Sequence, residues 1–308
     1  RGVIGKVMNK KIILTLIILT IIICTNTSIA QENTTTTTID VQTYTQLSNE
    51  IDNIKNSNIT TYEINLKKDN YTINNDIRWM HDENKKLPNL IINGHGCTIN
   101  GSDTNVFLKT GRNTNLTLNN MTISNTYDNT YSAIYNMGNL TLNNVIFQNN
   151  KISSLSILGG GAINNNGNLE INNSTFINNT AVYGGAIFNL KTDFNNAHIT
   201  INNSNFINNT AENGSCIYSS DAKLITINNT NFTSNNAIDS MIYSNYRTQQ
   251  ITIENSNITD NTNTLALINS QSNIEIINST IKSNKNTNGA LIKTTKSSII
   301  NSQICQNI

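Results

Sequence analysis

The chain has 308 residues, 20 Lys or Arg against 19 Asp or Glu, a net charge of +1, and only 13% charged residues. So sparse and balanced a charge excludes a basic face for nucleic acid, and partners should be recognised through hydrogen bonds. Four scattered Cys and three scattered His give neither a disulfide framework nor metal-ligand spacing, so no metal or cofactor is expected.

Residues 1–30 read as upstream sequence followed by a secretory signal. Met8, Lys10 and Lys11 precede an apolar run from Ile12 to Cys24, and Ser28-Ile29-Ala30 places small residues where a signal peptidase cuts, so the mature chain should begin at Gln31. The run is shorter than the roughly 20 residues of a spanning helix. Membrane contact is expected only through this segment if uncleaved, or through an anchor beyond Ile308, and the protein is expected to be extracellular at a cell surface. Residues 31–42, with threonine from Thr34 to Thr38, predict a flexible tether.

Residues 43–88 predict an N-terminal cap. Tyr44, Leu47, Ile51 and Ile54 lie on one face of a helix, which would cover the open first coil of a stack. Tyr62-Glu-Ile64-Asn-Leu66 and Tyr71-Thr-Ile73 read as entering strands, and Asp76 to Pro88 as an excursion whose Trp79 covers the end of the core.

From residue 89 to residue 308 the chain is a repeat. Copies of apolar-x-apolar-x-Asn-x-x-apolar-x-x-Asn begin at Leu116, Leu140, Leu169, Ile199, Ile225, Ile251, Ile274 and Ser297, at intervals of 24, 29, 30, 26, 26, 23 and 23 residues. Periods of this length mark the coils of a solenoid. Alternating apolar residues make a short strand with one buried face. Four residues into each copy stands Asn120, Asn144, Asn173, Asn203, Asn229, Asn255, Asn278 or Asn301. Asparagine tolerates the left-handed conformation of a sharp corner and can bond to its counterpart one coil away, so this row predicts a corner ladder. Seven residues in, Ile123, Phe147, Phe176, Phe206, Phe232, Ile258, Ile281 and Ile304 should face the core. Ten residues in, Thr126 is followed by asparagine in every later copy, from Asn150 to Asn307.

A second motif lies between the copies: Ser132-Ala-Ile134-Tyr, Gly160-Gly-Ala-Ile163, Gly184-Gly-Ala-Ile187, Gly214-Ser-Cys-Ile217, Ser240-Met-Ile242-Tyr, Ala266-Leu-Ile268 and Gly289-Ala-Leu-Ile292. Small residues permit close backbone approach and the isoleucine fills the interior, which makes this the third strand of each coil. The fold class expected is all-β: a right-handed, three-sided parallel β-helix of about nine coils at about 4.8 Å each. With Asn307 one residue from the end, a longer parent protein is expected.

The Gly-Gly-Ala-Ile and Phe-x-x-Asn motifs (Phe147 to Asn150, Phe176 to Asn179, Phe206 to Asn209, Phe232 to Asn235) resemble the repeats of chlamydial polymorphic outer membrane proteins. The Asn/Thr/Ile-rich style, and the entry segment from Leu90 to Gly101, resemble adhesin-like surface proteins of methanogenic archaea. The resemblance implies a surface-displayed adhesive protein that contacts glycans or cell surfaces, or serves as a structural rod. Asn-x-Ser/Thr sequons such as Asn58, Asn115, Asn173, Asn231 and Asn257 agree with a secreted glycoprotein, although a chain this rich in Asn, Ser and Thr produces most of them by chance, and glycans are expected only on exposed corners.

Catalysis on such a scaffold needs acidic and basic groups converging on one face. The candidate edge is Lys191 and Asp193, then Asp221 and Lys223, then Tyr246 and Arg247, in loops of unequal length whose side chains need not converge. A solvated mixed-charge edge is the plain reading, weak ligand contact the next, and a polysaccharide lyase or glycoside hydrolase the alternative. No catalytic residue is assigned. Thr117, Thr141, Thr200, Thr226 and Thr252 instead make an outward polar stripe suited to multivalent contact.

Overall fold

A computed structural model of the chain describes residues 36–81, 86–153, 159–190, 198–220, 222–245 and 248–308. Residues 36–308 form a parallel β-solenoid. Eleven strands stack in register on its first face, from Thr36–Val41 through Thr61–Leu66, Asn89–Asn100 and Asn115–Ser124 up to Lys296–Ile300. Ten steps of about 4.8 Å make a stack about 48 Å tall.

Each coil follows one plan, clearest in the coil that starts at Leu140. Leu140 and Leu142 point inward on the first face, pairing with Leu116 and Leu118 below and with Leu169 and Ile171 above. Asn144 turns the chain at φ 55°. Phe147 then points inward from a second face, in register with Ile123 and Phe176. Asn149 makes a second left-handed corner at φ 57°. A two-residue strand, Lys151–Ile152, follows, and Ile163–Asn165 forms the third face.

The expected inward rows are where the periodicity put them. Phe147, Phe176, Phe206 and Phe232 are all fully buried, with ring centroids 5.0, 4.8 and 5.0 Å apart and planes within 16° of parallel. Each stacked pair contributes about 0.5–1.5 kcal/mol beyond the area it buries. Ile304 and Ile299 hold the same kind of inward position in register with Ile281 and Ile276, and are 42% and 43% exposed.

Three readings need correcting. Thr36–Thr38 do not form a flexible tether: they start the strand Thr36–Val41, which pairs along Thr61–Leu66. Asp76 to Pro88 is not wholly an excursion, because Ile77–Trp79 is a third-face strand paired with Leu108–Thr110 and Trp79 is fully buried within the core cluster. Among the described residues, six coils add a further short strand between the second and third faces, as in Thr210–Ala211 and Asn236–Ala237. The expected corner ladder is intermittent, and the uninterrupted one runs in another row.

The corner row itself is left-handed throughout, from Asn120 at φ 51° to Asn301 at φ 46°, and its side chains are exposed. Its amides meet only at some steps: Asn144 Nδ2 donates to Asn120 Oδ1 at 2.8 Å, Asn229 to Asn203 at 2.6 Å and Asn278 to Asn255 at 3.4 Å. The continuous ladder is the buried row ten residues in. Asn179 Nδ2 and backbone N–H both donate to Asn209 Oδ1 at 3.0 Å, and Asn209 does the same to Asn235 at 3.0 and 2.9 Å. Asn209 Nδ2 also donates to the Phe176 carbonyl at 2.9 Å.

A matching hydroxyl ladder follows the first corner. Ser174 N–H donates to Ser204 Oγ, Ser204 N–H to Thr230 Oγ1 and Thr230 N–H to Ser256 Oγ. Both ladders have one physical cause. A left-handed corner interrupts the regular strand ladder, a buried backbone N–H must still be paired, and the next inward side chain supplies the acceptor from the coil above.

The helix Tyr44–Ile54 forms as expected. Thr43 caps its N-terminus by accepting the Gln46 N–H, and Leu47, Ile51 and Ile54 join the core cluster that holds Trp79. It occupies the first coil between the strands Thr36–Val41 and Thr61–Leu66.

Candidate binding surface

Alternation puts a second set of side chains on the outside of every face, and the register makes each set a straight column. On the first face the column is Ile91, Thr117, Thr141, Glu170, Thr200, Thr226, Thr252, Glu275 and Ser298. The threonine stripe is therefore continuous except where Glu170 and Glu275 interrupt it. Amide chains flank it. Asn115, Asn139 and Asn168 each donate Nδ2 to the Oδ1 of the asparagine one coil below, at 2.8, 2.7 and 2.8 Å. Asn119, Asn143, Asn172 and Asn202 do the same at 2.8 to 3.1 Å.

The third face is different. Its outward column runs Arg78, Lys109, Tyr135, Asn164, Phe188, Tyr218, Tyr243, Asn269 and Lys293. Cations stand at both ends and uncharged side chains fill the middle. Phe188, Tyr218 and Tyr243 stack with centroids 5.3 and 4.8 Å apart and planes within 10°, while Tyr183 meets Tyr218 edge-on at 5.0 Å. At the lower end Tyr131 packs edge-on against Tyr135, and Lys109 Nζ lies 3.7 Å from the Tyr131 ring centre.

Asp239 stands beside the upper end of this stack. Its carboxylate accepts from Asn269 Nδ2 at 3.1 Å, and its charge adds to burial in raising the phenols of Tyr218, to about 12, and of Tyr243. These tyrosines are therefore neutral hydrogen-bonding groups at ordinary pH. The motif that the sequence displays as Ile-Tyr at Ile134-Tyr135 and Ile242-Tyr243 carried the signal of this stripe: the residue after an inward isoleucine must point out.

Around the corner from this stripe an open groove of about 230 Å³ crosses the short strands, between Lys151, Val182, Glu212 and Ile238. Ile238 is 64% exposed there.

Of the charged edge expected from the sequence, Lys223 is exposed just ahead of the first-face strand Leu224–Asn228. Lys191, Asp193, Asp221, Tyr246 and Arg247 lie outside the described residues. Among the described residues no group of His, Cys, Asp and Glu could hold a metal ion, and no helix is long and apolar enough to cross a membrane. Cys97 and Cys216 are buried free thiols, both raised by burial, Cys97 to about 12 and Cys216 well above its ordinary value. Cys216 fills the column of Ala162 and Ala186 as a packing residue.

In comparisons with known proteins, the chain matches no family model and no curated protein.

Proposed function

We propose that this is a secreted or cell-surface, adhesin-like β-helix protein that attaches to glycans through repeated weak contacts along its outer columns. One observation carries the reading: hydroxyl and amide side chains recur on the outside in straight columns that only Glu170 and Glu275 interrupt on the first face, one rung of about 4.8 Å apart. A ligand that is itself a repeat can engage such an array at many points. The total affinity then exceeds that of any single contact by orders of magnitude. A rigid solenoid holds the columns straight, because each coil is locked to its neighbours by core stacks and buried ladders.

The signal-like segment at Met8 to Ala30 and the sequons support export. Their test is expression of the full chain in a secreting host, followed by N-terminal sequencing of the product. Release with Gln31 at the N-terminus is the expected result, and retention of Met8 in the cytoplasm is the contrary one. Adhesion is tested by exposing the full chain to an array of immobilised glycans, with a reducing-sugar assay on the same ligands. Retention without cleavage supports the reading; cleavage places the protein among carbohydrate-active enzymes.

A further inference from the structure

We infer that the upper end of the third-face aromatic stack is a sugar-binding site, in which an uncharged pyranose lies on the open face of Tyr243 and bonds to Asp239 and Asn269. This rests on the adhesive reading above and assigns it one place on the rod.

The choice of ligand follows from what the stack offers. Rings separated by 4.8 to 5.3 Å and nearly parallel touch face to face, so no gap remains between them for a proline or an aliphatic side chain. A peptide that needs aromatic-lined slots finds none. A cation prefers a ring face, and the faces within the stack are covered by one another. What the stack presents sideways is ring edges and phenol hydroxyls.

The two ends of the stack differ, since Phe188 at the lower end is buried and Tyr243 at the upper end is partly exposed. Tyr243 stacks on Tyr218 below, and in the coil above its register partner is Asn269, a much shorter side chain. An asparagine side chain is too short to cover a whole phenol ring, and Tyr243 is partly exposed. Next to that ring stands a carboxylate already held by one amide, from Asn269 at 3.1 Å, which leaves further acceptor positions on Asp239 and the carbonyl oxygen of Asn269. An apolar ring face beside a fixed carboxylate and amide matches a pyranose, which has an apolar C–H face and a rim of hydroxyl donors. Asp239, with Glu212 one coil below it, outnumbers Lys293 one coil above Asn269 and so disfavours an anionic sugar. Phe188 and Tyr183 have a supporting part, since they brace Tyr218 from below and from the side and so fix the angle of Tyr243.

The test is affinity electrophoresis of the full chain through gels containing a neutral polysaccharide (mannan, galactan or β-glucan) or an anionic one (polygalacturonate). Variants Tyr243→Ala, Tyr243→Phe and Asp239→Asn are run beside Thr200→Val on the first face, with far-UV circular dichroism to confirm the fold of each. The expected result is retardation by at least one neutral polysaccharide, weakened about tenfold or more in Tyr243→Ala and in Asp239→Asn, which is a loss of about 1.4 kcal/mol or more. Tyr243→Phe, which keeps the ring, should stay within about threefold, and Thr200→Val should match the unaltered chain. Retardation unchanged in both Tyr243→Ala and Asp239→Asn overturns this site and leaves the adhesive reading standing. Retardation lost only in Thr200→Val moves the site to the first face and also overturns it. An unaltered chain retarded only by polygalacturonate overturns it through the charge argument. An unaltered chain retarded by none of the four overturns it together with the adhesive reading.

Discussion

Asparagine has two separate tasks in this chain, and they respond differently to substitution. At Asn203 the residue holds φ 52° with an exposed side chain, so its main contribution is to tolerate a left-handed backbone. Asn203→Gly should change stability by less than about 0.5 kcal/mol, while Asn203→Ala should cost about 1 kcal/mol. At Asn209 the side chain accepts two N–H groups from Asn179 and donates to Phe176 and Asn235 in a fully buried row. Asn209→Ala removes the acceptor of both Asn179 donors and the amide donated to the Phe176 carbonyl, and should cost about 3 kcal/mol. Asn209→Gly should be no better. Urea unfolding of the four variants separates the tasks; equal costs at both positions would contradict the assignment.

The same contrast explains what could be read from the sequence at this scale. Phe147, Phe176, Phe206 and Phe232 were legible as a core column because an aromatic recurring at fixed phase has only one place to go. The two asparagine rows carry the same letter, and nothing in the letter says that one lies outside a corner and the other inside the wall. The clue is position relative to the left-handed residues: Asn150 directly follows the second corner at Asn149, just as Ser174 directly follows the first at Asn173. Tyr218 and Tyr243 were visible next to their isoleucines, but the stripe they form needs the register of coils of unequal length.

At the scale of one element, the third-face strand is set by how closely neighbouring backbones pass. A Cβ built on Gly185 would lie 2.3 Å from the Ser215 carbonyl oxygen and 2.7 Å from that of Thr210, both backbone atoms that cannot swing away. Gly161 is confined in the same way by the Gly185 carbonyl, at 2.3 Å. One and two coils above Gly185, Ser215 and Ser240 occupy its column, so the crowding is relieved along the stack. Gly185→Ala should therefore cost about 2 kcal/mol. Ser240→Ala should be neutral or stabilising, because Ser240 Oγ is buried without a hydrogen-bond partner. Thermal melts of the two variants check this, and a harmless Gly185→Ala would contradict the close approach. The glycine motif was legible as a strand entry, whereas the two-residue strand before it was not, since Thr210–Ala211 is too short for any period to show. The strand Thr36–Val41 is hidden in the sequence for a related reason: a threonine run has no apolar alternation, and its pairing along Thr61–Leu66 comes from the stack.

For the whole solenoid, stability should fail on the alkaline side before the acid side. Burial raises the phenols of Tyr44, Tyr135, Tyr218 and Tyr243 and the thiols of Cys97 and Cys216. A neutral acid whose folded pKa is raised contributes stability that is complete below its unfolded pKa and is lost as pH rises through the folded one. With unfolded values of about 8.5 for thiols and about 10 for phenols, that loss begins near pH 9 and continues beyond pH 12. The opposite sign applies at Asp40, lowered by the Asn65 amide, and at Asp76, where burial opposes ionisation but the Lys109 ammonium outweighs it. Those contributions are lost as pH falls below about 4, and they are small, Asp40 being exposed and Asp76 half-buried. The urea midpoint should hold nearly level from pH 8 to pH 4 and drop between pH 9 and pH 11. A larger drop on the acid side would contradict this balance.

Everything said of columns, ladders and the sugar site requires the repeats to lie one above another at a single rung spacing. Electron–electron distance measurement between spin labels at Thr117→Cys and Thr252→Cys, with Cys24 and Cys305 replaced by serine, tests that directly, because the buried thiols of Cys97 and Cys216 are shielded from labelling. These two outward threonines are five coils apart in one column. A narrow distribution centred at about 24 Å, within the few ångströms of label reach, is the expected result. A broad distribution, or one centred beyond about 40 Å, would mean that the coils do not stack in this register.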